Sequence, residues 1–132
     1  MPRHTIELEK LGLEVTFFDI EIQSPELLEE LERYIKSKIV IGASAGSMVF
    51  GSTIALIHEF DPQLNEPVYL TDFSGLGLTN INICPHTSRF VERYDNFLER
   101  IEAFEKRSNT QITRIDDGQA VFIDGDNVWI VY

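Results

Sequence analysis

Cysteine is nearly absent from this chain: Cys84 stands alone, which excludes an internal disulfide framework and fits a reducing, cytoplasmic compartment. Basic residues are scarce too, with 11 Lys and Arg against 22 Asp and Glu, for a net charge of −11. Neutralising phosphates needs a basic face that this composition does not supply, so nucleic acid is an unsuitable partner. An acidic ligand would need local help from an arginine or lysine. No apolar run approaches the length of a membrane span, about 20 residues. The opening Met1-Pro2-Arg3-His4 lacks the apolar stretch of a secretory signal. Repeats, low-complexity tracts and Pro- or Gly-rich linkers are missing, so residues 1–132 are read as one domain. No His, Cys and carboxylate cluster has metal-ligand spacing, so no metal or other cofactor is implied.

What is present is a core and an alternating pattern of elements. Hydrophobic residues make up 43% of the chain, enough to bury an interior. Residues up to about Lys10 read as a helix end and Leu13–Ile20 (LEVTFFDI) as a strand. Ser24-Pro25-Glu26 starts a helix with a capping hydroxyl, a proline at the first helical position and an acid in the first turn. Leu27, Leu28, Leu31 and Ile35 fall on one face of it. Lys38–Gly42 is nearly all apolar, as a central parallel strand would be, and a helix follows from Ala45 to about Phe50.

Beyond a less patterned middle, with Val68–Leu70 as a strand and Gly75–Leu78 as a turn, Asn80–Cys84 alternates like a strand. From Arg89 to about Lys106 a single apolar stripe (Phe90, Tyr94, Phe97, Leu98, Ile101, Phe104) predicts one amphipathic helix. Strands at 111–115, 120–123 and 128–131 finish the chain, the last two joined by a hairpin turn at Asp124–Asn127. Strands alternating with helices predict an α/β sandwich with a largely parallel sheet and an antiparallel edge.

Chemistry centres on Gly42-Ala43-Ser44-Ala45-Gly46. A serine hydroxyl is a weak nucleophile unless a base takes its proton and donors receive the oxyanion. On a sharp strand-to-helix turn, Ser44 would stand exposed above the sheet and the Ala45 N–H would aim at the developing charge. Such a turn forces a strained backbone at the serine and asks for small neighbours, which are all there. The competing reading is a Gly-rich turn with an incidental serine. A phosphate loop is disfavoured, because those turns are longer and usually carry a lysine.

Three histidines could serve as base: His4 near the terminus, His58 beside Glu59 and Asp61, and His86. His86 follows a predicted strand and precedes a helix, at the strand end where α/β folds gather their sites. It is preferred over a role as a plain loop residue. The imidazole then needs an acid on its other nitrogen. Asp116-Asp117-Gly118 ends the next strand in the analogous place, and Asp117 is preferred over Asp116, against a reading of both as turn formers. The order Ser, His, acid differs from the Ser, acid, His order of α/β-hydrolases.

These residues resemble peptidase family S51, the serine peptidases that include dipeptidase E and cyanophycinase. The resemblance rests on Ile41–Ser47, on Cys84-Pro85-His86 and on Ile115–Ala120, and spans the chain from about Leu11 onward. It implies a three-layer sandwich like that of class I glutamine amidotransferases (flavodoxin-like), with serine in place of cysteine. It implies Ser44 as nucleophile, His86 as base, Asp117 where dipeptidase E commonly has glutamate, and a small peptide as substrate. Asp61 resembles an aspartate that family members carry after the elbow helix and would contribute to the substrate site, the competing reading being a helix-end or turn residue before Pro62. Arg89, Arg93 and Arg100 follow His86, and Arg89 is the candidate to receive a substrate carboxylate. The family's Gly-Gly-Asn loop, source of the second oxyanion donor, has no counterpart before Ser44. A shortened member or a piece of a longer product is therefore expected, and so is either a serine peptidase or a catalytically impaired remnant serving as a binding or assembly module. A shortened sheet would leave apolar edges that favour a homodimer.

Overall fold

The computed structural model describes residues 25–67 and 69–132. The helix end before Lys10 and the strand at Leu13–Ile20 lie outside the described residues. Helix α1 spans Pro25–Ile35, beginning at the proline as expected. The side chains of Leu27, Leu28 and Leu31 lie outside the described set, and Ile35 is exposed.

The expected strand at Lys38–Gly42 does not form a ladder among the described residues, and Ile39 and Ile41 are 76% and 64% exposed. A strand exists only through a neighbour's backbone, and apolar composition does not supply one. The strand expected before it in the chain, Leu13–Ile20, is outside the described residues. Helix α2 is a single turn, Ala45–Met48, shorter than the expected Ala45–Phe50. It ends early because Gly51 and Leu76–Thr79 take up the next carbonyls, with Leu76 N–H on Val49 and Leu78 N–H on Phe50.

Helix α3 (Ala55–Phe60) and a 3-10 turn (Pro62–Asn65) occupy the middle. Of the strand expected at Val68–Leu70, Val68 lies outside the described residues and the rest is not strand: Tyr69 adopts φ 54° and is exposed, and Leu70 sits in a loop held by the Asn65 amide. A two-residue bridge, Thr53 with Ser74, is the pairing that this stretch makes. The turn expected at Gly75–Leu78 is an extended segment instead, its N–H groups donating to the carbonyls of Val49, Phe50 and Gly51, with Gly77 at φ 66°.

Strand β1 (Asn82–Cys84) pairs in parallel with β2 (Ile112–Arg114), Cys84 opposite Arg114. Two helices make the crossover where one was expected: α4 (Thr87–Arg93) and α5 (Phe97–Ser108). The break is at Tyr94-Asp95-Asn96, where Tyr94 turns extended and Asn96 takes φ 53°. Asn tolerates that left-handed conformation better than other side chains, so the kink settles there. The apolar stripe runs across the break. Phe97, Ile101 and Phe104 are buried while Leu98 is exposed, so Leu98 is not part of it.

The core gathers Met48, Leu56, Cys84, Phe97, Ile101, Phe104 and Ile112, with Ile101 fully buried. Phe60, Phe90 and Tyr94 pack around it as an aromatic group with ring centroids between 4.6 and 6.2 Å apart. The chain ends in an antiparallel hairpin, β3 (Ala120–Asp124) with β4 (Asn127–Val131), turning at Gly125 with φ 58°. Among the described residues the molecule is thus mixed α/β, with a parallel pair and a separate antiparallel pair. No helix among them is long and apolar enough to cross a membrane.

Candidate active site

Parallel pairing explains why distant residues meet. Strands β1 and β2 run the same way, so both C-terminal ends open on one side. His86 lies two residues past Cys84, and Asp117 three past Arg114, its opposite number. The ladder continues beyond the strands through Ile115 N–H to Cys84 O at 3.0 Å and Thr87 N–H to Ile115 O at 3.0 Å. These bonds fix the two exit turns against each other. Helix α2 packs on β1 and brings Ser44 to the same rim.

Ser44 precedes α2 with φ 54° and ψ −123°, a conformation that side-chain-bearing residues rarely adopt. The turn is tied down locally: Ser47 donates to the Ser44 carbonyl from its N–H at 3.0 Å and from its hydroxyl at 2.5 Å. Gly42 is required by close approach, since a Cβ there would lie 2.5 Å from both the Gly46 carbonyl oxygen and the Phe50 ring. Gly46 has open space where its Cβ would be, so among the described residues the pattern's second glycine is not sterically demanded.

His86 also sits at positive φ, 54°, as the residue that begins α4. That left-handed turn swings its ring over the rim. Ser44 Oγ lies 2.9 Å from His86 Nε2, and His86 Nδ1 is bonded to an Asp117 carboxylate oxygen. A carboxylate can only accept, so Nδ1 carries the proton and Nε2 is left to accept from the serine hydroxyl. Asp117 is held below the ordinary carboxylate value by the His86 hydrogen bond first, with desolvation opposing and the Arg89 guanidinium adding to the lowering. The Ala45 N–H has no backbone partner among the described residues, as the first N–H of a helix does not.

Arg89 does not stand free: its guanidinium contacts the other Asp117 oxygen at 2.5 Å. Asp61 stands apart from these groups, and no hydrogen bond or ion pair among the described residues joins it to Ser44, His86 or Asp117. It pairs with Arg93 at 3.5 Å and accepts from the Gln63 amide at 2.9 Å. It also borders a small apolar cavity with Met48, Cys84, Phe90 and Tyr94. Arg100 lies over the Phe60 ring at 4.4 Å and donates to the Glu59 carbonyl. His58 packs on Phe73, ring centroids 4.7 Å apart, and His4 lies outside the described residues.

One contributor escaped the sequence reading. Asp116 accepts from the Ser88 N–H at 2.6 Å and from its hydroxyl at 2.8 Å, so it caps α4 from the neighbouring loop. An acid facing a helix N-terminus is a known stabiliser, but here the cap comes from 28 residues downstream, where no local pattern announces it. Cys84 is 1% exposed and burial pushes its thiol pKa up, as expected of a small core residue. No group of three or more His, Cys, Asp and Glu among the described residues is arranged to hold a metal ion.

The model of peptidase family S51 matches residues 14–131, nearly the whole chain. The chain belongs to peptidase family S51. Among solved structures it is similar to a candidate peptidase E protein from Listeria monocytogenes EGD-e, with a TM-score of 0.58 at 26% identity. That match covers 96% of this chain and 74% of the other. No curated protein matches the chain significantly. An S51 peptidase plan is therefore shown for the sequence and is consistent with the mixed α/β fold.

Proposed function

We propose that this S51 chain is a serine hydrolase of short peptides working through Ser44, His86 and Asp117, in a single domain of the three-layer, glutamine amidotransferase-like kind. The carrying observation is the unbroken relay from Ser44 Oγ to His86 Nε2 at 2.9 Å and from His86 Nδ1 to Asp117. In this reading His86 takes the hydroxyl proton as Ser44 attacks the peptide carbonyl, then gives it to the leaving amine. Asp117 fixes the tautomer and favours the imidazolium that forms. The Ala45 N–H serves one side of the oxyanion.

Asp61 and the apolar wall beside it are the proposed seat for part of the peptide. The lone buried cysteine suits a reducing, cytoplasmic setting. The exposed apolar side chains of the final hairpin suit a homodimer. A second reading, a catalytically impaired remnant that binds rather than cleaves, is favoured by the missing Gly-Gly-Asn loop. Loss of one oxyanion donor lowers rate by about 10²–10³, so even the enzyme reading expects a slow catalyst.

A fluorophosphonate probe separates the two. Attack by Ser44 Oγ forms an O–P bond, fluoride leaves, and His86 takes the hydroxyl proton. Labelling of the parent chain, absent in Ser44→Ala and severely reduced in His86→Ala, is the expected result. A folded chain that takes no label overturns the enzyme reading, and labelling that persists in His86→Ala overturns the relay.

A further inference from the structure

The side chain that answers Asp117 from the far side is Arg89. His86 immediately precedes α4 in a left-handed turn, and Arg89 is the third residue of that helix. Asp117 reaches them from the loop after β2, giving one oxygen to His86 Nδ1 and the other to Arg89 Nη2. Neighbouring Asp116 is fixed separately, by the two donors of Ser88. The loop is thus pinned to the start of α4 at three residues, His86, Ser88 and Arg89. We propose that Arg89 is a positioning residue for the relay, aligning the Asp117 carboxylate on His86 and sharing its negative charge, and that it is not a receptor for a substrate carboxylate. This inference rests on the Ser44–His86–Asp117 reading and deepens it.

The geometry gives Arg89 two separable effects. A carboxylate held by two donors on different oxygens cannot rotate its plane away from the imidazole, so the Nδ1–H tautomer is kept. The guanidinium also offsets part of the charge that stabilises the imidazolium. The other charged groups near this rim are Asp116, held by Ser88, and Arg114 of β2, paired with Glu105 of α5 at 3.1 Å. Neither contacts the His86 ring, so among the described residues Arg89 is the cation that shares Asp117 with it.

The test compares Arg89→Gln, Arg89→Lys and Arg33→Gln, the last removing a charge from α1 that pairs with Glu30. Two readouts are taken: the pH profile of fluorophosphonate labelling at Ser44, and the ring ¹⁵N shifts of His86, which report its tautomer without any turnover. Arg89→Gln is expected to lower labelling by about tenfold at the plateau, a cost typical of a reacting group left less well oriented. Its acid limb should move to higher pH, and its ¹⁵N shifts should show a mixed tautomer. Arg89→Lys, which keeps the charge but not the planar fork, should return the acid limb to the parent position while recovering the plateau only in part. Arg33→Gln should match the parent in both. Unchanged ¹⁵N shifts in Arg89→Gln overturn the proposal, as does labelling that keeps the parent's plateau and acid limb. A parent chain that takes no label sinks the hydrolase reading, and the ¹⁵N shifts then decide the role of Arg89 by themselves.

Discussion

Ser44 and His86 share an unusual property: both hold their side chains on backbone at φ 54°. Such conformations cost on the order of 1–3 kcal/mol each for a residue bearing a Cβ. At Ser44 the two Ser47 donors offset some of that strain by holding the carbonyl in place. Ser44→Gly should therefore be more stable than Ser44→Ala by about 1 kcal/mol in denaturant unfolding, although neither can be labelled. Equal stabilities would contradict a strained elbow. Asp117 carries a second prediction at this scale. His86 and Arg89 favour its ionised form in the folded chain and lower its pKa, so their stabilisation is present above the ordinary carboxylate value. It fades as pH falls through the lowered value. Asp117→Asn should flatten the acid side of a plot of Tm against pH; a curve running parallel to the parent's would refute the assignment.

At the scale of elements, the final hairpin and the start of α1 were legible because they depend on local chemistry. Pro25 opens α1 and Gly125 turns β3 into β4, each for reasons carried by the residue itself. Boundaries set by distant partners were not legible. The stripe from Phe90 to Phe104 keeps its period through the Tyr94–Asn96 break, because both helices cover the same core. Lys38–Gly42 has the composition of a buried strand, yet pairing depends on a neighbouring backbone that composition does not specify. His86 and Asp117 could be proposed from the sequence because each follows a strand, and Ser44 because its neighbours are all small, although no ladder forms before it among the described residues. The Arg89 contact and the Asp116 cap could not, since both join α4 to a loop some 28 residues away. Helix α5 supplies the test at this scale. Ile101 is fully buried against β1, β2 and the aromatic group, so Ile101→Ala should cost about 2–5 kcal/mol of stability, read from the urea midpoint. A loss under 1 kcal/mol would mean that the core is not centred there.

Across the whole molecule the burial is uneven. Side chains are packed around α5 and the parallel pair, whereas the final hairpin leaves Phe122, Val128, Trp129, Ile130 and Val131 each close to half exposed. A two-stranded ribbon is marginal in water by itself, so this end of the chain gains most from an added surface. The relay stands at the rim of the parallel pair. Its three members come from turns at 44, 86 and 117, joined by a crossover through two helices.

That arrangement has a consequence for a chain still being made. Synthesis delivers the nucleophile's turn first and the base some forty residues later, while the acid arrives only after β2 has been produced and can pair with β1. On the proposed relay, the serine has no oriented imidazole until residues up to Gly118 have left the ribosome, and the nascent polypeptide would stay chemically silent toward its neighbours.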